Sequence, residues 1–434
     1  MPSVPELPLP IARWCYSALF YLLLPLILLR LWWRGRLAPA YRQRIGERFG
    51  FYPEALRPGG IWVHAVSVGE TIAAAPLVRA LLQRYPALPI TVTTMTPTGS
   101  ERVRALFGGS VQHVYAPYDI PDAIARGLSS IRPRLAIVME TELWPNTIHA
   151  CAARGIPVLL ANARLSERSA RGYRRLRALT APMLRELALV VAQNADDGAR
   201  FTALGLPAEK LRVSGSIKFD IAIEAELRAR AQSTRAEWGA AARPIWIAAS
   251  THAGEDEIAL AAHRELRERH PHALLVLVPR HPERFDAVAA LIESAGFAFE
   301  RRSRGGAPDL DTAVLLGDTM GELLYLYGCA DIALVGGSLI ARGGHNTLEP
   351  AAWGLPIITG PSAFNFREIA ELLQRAQALT VVADSAELAR ELMQLVDDGE
   401  LRRRRGAAAQ RAVAENRGAL QKLLAAVDEL AAPR

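Results

Sequence analysis

The chain has 434 residues, half of them hydrophobic and 22% charged, which supplies apolar mass for two or three cored domains and excludes wholesale disorder. A net charge of +7 and a pI near 9.6 favour an anionic partner: phosphorylated lipid, membrane surface or nucleic acid. Its three cysteines, Cys15, Cys151 and Cys329, are scattered and odd in number; they exclude a disulfide framework or a zinc pattern and fit a reducing compartment.

Trp14 to Leu29 carries no charge, and the apolar run resumes after Arg30 as Leu31-Trp32-Trp33. This is near the lower limit of the ~17–25 residues that span a bilayer. Arg34, Arg36, Arg42 and Arg44 follow it, whereas only Glu6 and Arg13 precede or open it, so the positive-inside rule leaves the bulk of the chain in the cytoplasm. A cleaved signal peptide wants its positive charge before the apolar core. Residues 1–36 therefore read as an uncleaved anchor and basic flank, and Pro25 leaves spanning and lying flat both open.

From Gly60 short apolar runs alternate with helical stretches. Strands are expected at 61–65, 90–94, 111–115, 135–139 and 157–161, with helices at 71–84, 101–107, 122–131 and 145–154. After a pause at Ser214-Gly215-Ser216, a charged helix at 223–238 leads into a second series. Strands are expected there at 244–249, 274–278, 313–316, 332–335 and 356–358. Helices are expected at 255–270, 283–295, 319–326 and 364–375, and closing ones at 386–395, 401–417 and 420–430. This rhythm implies an α/β chain with two doubly wound, Rossmann-like domains facing a cleft, with ligands at the carboxyl ends of the strands. The expected division is a first domain at 37–216, a linker at 217–240 and a second domain at 241–434.

The stretch Asp331–Pro361 organises the second half. Ile332–Val335 ends at Gly336-Gly337-Ser338, and Gly343-Gly344 precedes His345-Asn346, from which a helix is expected over 346–352. Bare glycine backbone and a helix start suit a phosphate, so Gly336, Gly337 and Ser338 form a candidate phosphate loop. Asn346 and Glu349 read equally as a capping pair or, for Glu349, as an acceptor for ribose hydroxyls.

His64-Ala65-Val66-Ser67-Val68-Gly69-Glu70 follows the first strand. Glu70 there is a first-turn acid that complements the helix dipole, or a general base whose pKa burial would have to raise. Glu140 and Glu142, in METELWPN, are two residues apart at a strand end and share a side if the chain stays extended. One of them caps the helix at Pro145, or one contributes charge to the cleft. Lys218, in GSIKFD, is a solvated surface charge or meets a departing phosphate. Ser250-Thr251-His252 and Pro279-Arg280-His281 follow strands, and Arg280 offers a fork of donors for phosphate or a base carbonyl. Gly317–Glu322 opens a helix, a further place for backbone N–H groups to meet a nucleotide. The DxD at Asp309 and Asp311 lies in a loop away from the ligand edge, and the nine histidines show no metal-ligand spacing. The basic run Arg164–Arg177 is an ordinary solvated face or a contact for anionic headgroups.

Together these stretches resemble the Kdo transferases, the 3-deoxy-D-manno-octulosonic acid transferases of lipid A assembly. The likeness runs through RGRLAPAYRQRIGERFGFY, HAVSVGE, TVTTMTPTGSERV, METELWPN, ANARLS, GSIKFD, VPRHPERF, GDTMGEL and VGGSLIARGGHNTLEP. It implies a GT-B glycosyltransferase at the cytoplasmic face of the bacterial inner membrane, an anionic surface. The implied donor is CMP-Kdo and the implied acceptor lipid IVA, with inversion, no metal, no cofactor and no nucleic acid. By the family's motifs Glu70 is the base, and Glu140 and Lys218 stabilise the transition state. CMP binding maps onto Pro279, Arg280, Met320, Gly321, Glu322, Asn346, Thr347, Leu348 and Glu349. Two rivals stand beside this: a nucleotide-sugar 2-epimerase on the same fold, and a membrane-tethered, non-enzymatic nucleic-acid-binding protein.

Overall fold

The computed structural model describes residues 9–52 and 56–432; Glu6, counted in the charge asymmetry above, lies outside them. The chain forms two compact units. One takes in the described residues through Asp220 and the chain from Arg417 onward, and the other is Ile221–Asn416.

The first unit is built on seven strands: β1 (Ile61–His64), β2 (Ile90–Thr94), β3 (Gln112–Tyr115), β4 (Leu135–Met139), β5 (Val158–Ala163), β6 (Leu189–Ala192) and β7 (Leu211–Val213). They pair in the order β3-β2-β1-β4-β5-β6-β7, every neighbour parallel. The second unit repeats the plan with β8 (Ile245–Thr251), β9 (Leu274–Pro279), β10 (Phe299–Arg301), β11 (Val314–Leu316), β12 (Ile332–Val335), β13 (Ile357–Thr359) and β14 (Leu379–Val381). Its order is β10-β11-β9-β8-β12-β13-β14, again all parallel.

Both sheets are buried on two faces, which is why their central strands are nearly unbroken apolar runs. In the first unit Val63, Ile137 and Leu159 pack on Leu77 and Leu81, while Trp62, Val138 and Leu160 pack on Ile124 and Ile148. In the second, Trp246, Leu275 and Leu334 pack on Leu260 and Leu266, while Ile247, Val276 and Ala333 pack on Tyr325 and Leu326. Each strand order reverses beside the first strand of its unit, at β1/β4 and at β8/β12. Such switch points open a crevice at the carboxyl ends of the strands.

Two boundaries differ from the sequence reading. The closing helix Ala419–Ala431, expected in the second domain, packs in the first unit: Leu423 and Val427 share a core with Leu77 and Leu81. The expected linker 217–240 is divided as well. Ile217 belongs to that same core, and helix Ala225–Glu237 packs in the second unit through Ala231. The last crossing works because Asp220 accepts the N–H groups of Gly418 and Leu420, both at 2.7 Å, and so holds the start of the returning helix.

The N-terminal helix runs Leu9–Leu37, longer than its uncharged stretch. Ile11–Leu37 is long and apolar enough to cross a membrane.

Candidate active site

In the first unit three carboxylates and a lysine gather at the switch point. Ser67 caps helix Val68–Arg84, accepting the N–H of Glu70 at 3.4 Å. The Glu70 carboxylate reaches back to accept the Val66 N–H at 2.7 Å and the Ser67 hydroxyl at 3.0 Å. Glu70 is thus the helix-start acid that its spacing suggests, yet only 9% of it is exposed. Burial raises its pKa to about 7, with Glu142 and then Glu140 adding to the rise against the two hydrogen bonds. Desolvation wins over the helix start, and a carboxyl with a pKa near neutrality can exchange a proton there.

Glu140 and Glu142 reach this site by another route than alternation along a strand. β4 stops at Met139, Glu140 takes a left-handed backbone (φ 54°), and a tight turn joins Leu143 N–H to Thr141 O at 2.8 Å. The extended-chain expectation therefore fails, although the two charges still act on Glu70. Neither glutamate caps the helix Pro145–Ala152. Asp119 does, accepting the N–H groups of Asn146 (3.0 Å) and Thr147 (2.7 Å). Glu142 instead accepts the Trp144 indole N–H at 3.0 Å, and burial raises its pKa too. Lys218 extends its Nζ to 3.4 Å from Glu140 Oε1.

Asn162 is a residue the sequence reading passed over. It is fully buried, sits at a register shift in β5 and has φ 52°, a second strained non-glycine beside Glu140. Its Oδ1 accepts the Ile217 N–H at 3.2 Å, which fixes the turn Ile217–Phe219 that carries Lys218. Its Nδ2 has no hydrogen-bond partner. In the sequence it is marked by its place in ANARLS, and its αL backbone emerges only in the fold.

The second unit gathers a different set at its own switch point. Arg280 follows β9, its N–H donating to Thr251 O at 3.0 Å, and its charge acts on both His345 and Glu349. The His252 and His345 rings share a hydrogen bond, Nε2 to Nε2 at 2.9 Å. Burial lowers both pKa values, that of His345 to about 4, so the two rings are neutral at neutral pH and one donates to the other. Asn346 Oδ1 accepts the Leu348 N–H at 3.1 Å, and its Nδ2 donates to Glu349 Oε1 at 3.1 Å. The helix itself is Leu348–Trp353, opening two residues later than expected, with Thr347 rather than Asn346 at the cap. Burial raises the pKa of Glu349, opposed by Asn346 and Arg280.

The N–H groups along the candidate phosphate loop Gly336-Gly337-Ser338 have partners inside the protein. The N–H groups of Gly337, Ser338 and Leu339 donate to the Glu255 carboxylate at 2.7, 3.0 and 2.9 Å, and Gly336 N–H donates to Ala249 O. His252 N–H adds a further bond to Glu255 at 3.0 Å, and the glutamate is fully buried. The loop does hold an anion, but a side chain of the protein itself supplies it. Its glycines are needed for close approach: a Cβ on Gly336 would lie 2.6 Å from Ser250 O, and one on Gly337 (φ 69°) 2.9 Å from the His345 ring.

Met320, Gly321 and Glu322 lie on the turn after β11, which pairs with β9, so they share an edge with Arg280. Glu322 pairs with Arg302 at 3.2 Å and Arg230 at 3.4 Å and accepts the Thr319 hydroxyl at 2.7 Å. The helix there starts at Leu323, four residues later than expected. In the DxD, Asp309 closes its own loop, accepting the N–H groups of Asp311 and Thr312. Among the described residues no cluster of three or more His, Cys, Asp or Glu forms a metal-binding group.

Comparisons with known proteins bear on what these sites serve. The family model for 3-deoxy-D-manno-octulosonic-acid transferase (kdotransferase) matches residues 43–221. The chain is 50% identical over 415 residues to the 3-deoxy-D-manno-octulosonic acid transferase of Haemophilus influenzae, covering 95% of this chain and 97% of that protein. It is 40% identical over 438 residues to that of Bordetella pertussis, covering 96% and 99%. In fold it is similar to the UDP-GlcNAc 2-epimerase from Neisseria meningitidis, with a TM-score of 0.56 and 15% identity over 85% of this chain and 100% of that one. That likeness shows the architecture alone. Near-complete coverage at half identity carries the rest: the chain belongs to the Kdo transferase family and is a glycosyltransferase of GT-B architecture.

Proposed function

We propose that this protein transfers Kdo from CMP-Kdo to lipid IVA with inversion and without a metal, at the cytoplasmic face of the bacterial inner membrane. The observation that carries the mechanism is the Glu70 carboxyl, buried at the β1/β4 switch point with a pKa raised to about 7. Family membership supplies the transferred sugar, and the resemblance in the motifs supplies donor and acceptor.

In this reading an acceptor hydroxyl gives its proton to Glu70 as its oxygen attacks the anomeric carbon of Kdo. The bond from that carbon to the CMP phosphate oxygen breaks, and CMP leaves with the electron pair. A single displacement inverts the centre. Lys218 and Arg280 each offer a cation to the negative charge that grows in the transition state, so no step requires a metal. Glu140 holds Lys218 and contributes to charge balance at the reacting sugar. Arg280, with Pro279, Met320, Gly321, Glu322, Asn346, Thr347, Leu348 and Glu349, forms the CMP site, in which Glu349 accepts ribose hydroxyls. The anchor and the exposed arginines on the Glu167–Arg175 helix favour an anionic membrane over nucleic acid.

Purified protein supplied with CMP-Kdo, lipid IVA and excess chelator tests the proposal. Kdo-lipid should form at the undiminished rate, and Glu70→Gln should slow it by roughly 10²–10⁴. Dependence of transfer on added metal, or a Glu70→Gln variant at native rate, would sink the mechanism.

A further inference from the structure

The N-terminal helix does not stand away from the protein. Along one side it rests on the first unit: Phe20, Leu24 and Ile27 pack against the cluster of Tyr118, Ile120 and Ala123. Phe20 and Tyr118 bring their rings to 6.4 Å. Polar contacts follow the same stripe. Asn146 Nδ2 donates to Ser17 Oγ at 3.0 Å, Tyr21 Oη donates to Asp122 at 3.0 Å, and Arg13 lines a cavity of about 330 Å³ with His149 and Glu186. Farther on, Arg42 donates to Trp32 O and lies over the Trp32 ring. From Arg13 to Ile27 the helix is thus flush with a folded surface for roughly 21 Å, at ~1.5 Å per residue.

Its other side is apolar and bare. Trp14, Leu19, Leu22, Leu26, Leu29 and Trp33 are all exposed. Tryptophans stand near both ends of this face, and Arg30, Arg34 and Arg36 are exposed beside it. A helix set upright across a bilayer would carry Asp122, Arg126, His149 and Glu186 of the body into hydrocarbon along with its docked side. Charged groups are costly there, and the body has no closed barrel or helical wall to shield its loops. A helix lying in the plane of the interface buries the bare face alone and keeps the docked side in water.

We infer that the N-terminal helix is an in-plane element that lays its outer face on an anionic lipid bilayer without crossing it. This rests on the membrane-facing reading proposed above. It has a consequence for the reaction. Asn146, which holds Ser17, opens the helix that follows Glu140 and Glu142, and Phe20 and Trp144 line one small cavity. The docked helix therefore sets the carboxylate edge of the first unit at headgroup level, where a lipid acceptor presents its sugar without leaving the membrane.

Nitroxide depth measurements test this on the full chain. Labels go singly on Cys15 and, in a Cys15→Ser background, on Leu22→Cys and Leu29→Cys, three exposed positions a heptad apart; Cys151 and Cys329 are buried. The chain is bound to phosphatidylglycerol–phosphatidylcholine vesicles, and oxygen and nickel-chelate collisions are compared. An in-plane helix gives three similar, shallow depths. A spanning helix places the label at 22 deeper than the other two by up to about 10 Å, at ~1.5 Å per residue, which overturns the inference and leaves the membrane reading standing. Labels that never meet lipid, or that broaden one another in detergent because a second copy covers the face, overturn both. Retained Kdo transfer by each labelled chain verifies its fold.

Discussion

At Ser67 and Glu70 the helix cap and the proposed base use the same atoms. A carboxylate that accepts two hydrogen bonds at a helix start would ordinarily titrate low, and burial with Glu142 nearby reverses this. The sign of the linkage follows. Glu70 has a folded pKa raised from 4.5 to about 7, so folding favours its protonated form, and its contribution to stability falls as pH climbs through that window. Glu70→Gln should therefore raise the melting temperature more at pH 8 than at pH 4.5, by the equivalent of up to roughly 3 kcal/mol, while losing activity. Equal melting shifts at both pH values would refute the shifted pKa. For the native enzyme, kcat/KM should rise with pH through about 7 as Glu70 loses its proton. Glu142→Gln removes the second cause of the shift, so that acid limb should move to lower pH. A limb that stays in place would separate Glu142 from the base. The residue types at these positions were legible in the motifs. Their poise was not, because desolvation and the left-handed turn at Glu140 arise only when β1 and β4 lie side by side.

Among elements, the long apolar strands could be read directly, since four to six consecutive Val, Ile, Leu or Ala leave little choice in a parallel sheet. Four strands escape that signal. β7, β10 and β14 lie at or beside sheet edges, have three residues each, and mix Arg, Glu or Thr with apolar positions. β6 is apolar but runs on from the helix Arg177–Glu186, where periodicity alone does not separate helix end from strand. Glu255 is the sharper lesson. Locally it is one of three acids in a first helical turn, and nothing near it announces a loop 82 residues away that needs its carboxylate. Both oxygens are in use, so Glu255→Gln turns an amide N–H₂ toward backbone donors. The expected cost is about 3–5 kcal/mol, the size of breaking a buried charged network, read as a fall in the denaturant midpoint of the second unit. CMP affinity should fall with it, because His252 and Gly337 connect this carboxylate to His345. An unchanged midpoint would return the loop amides to the status of a free anion site.

At the scale of the whole molecule, one helix gathers several arginines on its outer face. The helix Glu167–Arg175 buries Ala170 toward the body and leaves Arg168, Arg171, Arg174 and Arg175 exposed. It belongs to the same unit as the N-terminal helix, and in the membrane reading proposed above the two features attract the same partner by different physics. Apolar burial is not screened by salt, whereas arginines near an anionic surface contribute about 1 kcal/mol each and act only within a Debye length, ~8 Å at physiological ionic strength. Replacing the four arginines by Gln should therefore weaken binding to phosphatidylglycerol vesicles by two to three orders of magnitude at low salt, on that ~1 kcal/mol scale. The loss should shrink at 0.5 M salt and vanish on vesicles of neutral lipid. Co-sedimentation across salt and lipid composition reads both terms in one series. If the quadruple variant binds anionic vesicles as tightly as the native chain, the basic helix is a solvated face, and the apolar helix alone holds the enzyme to its membrane.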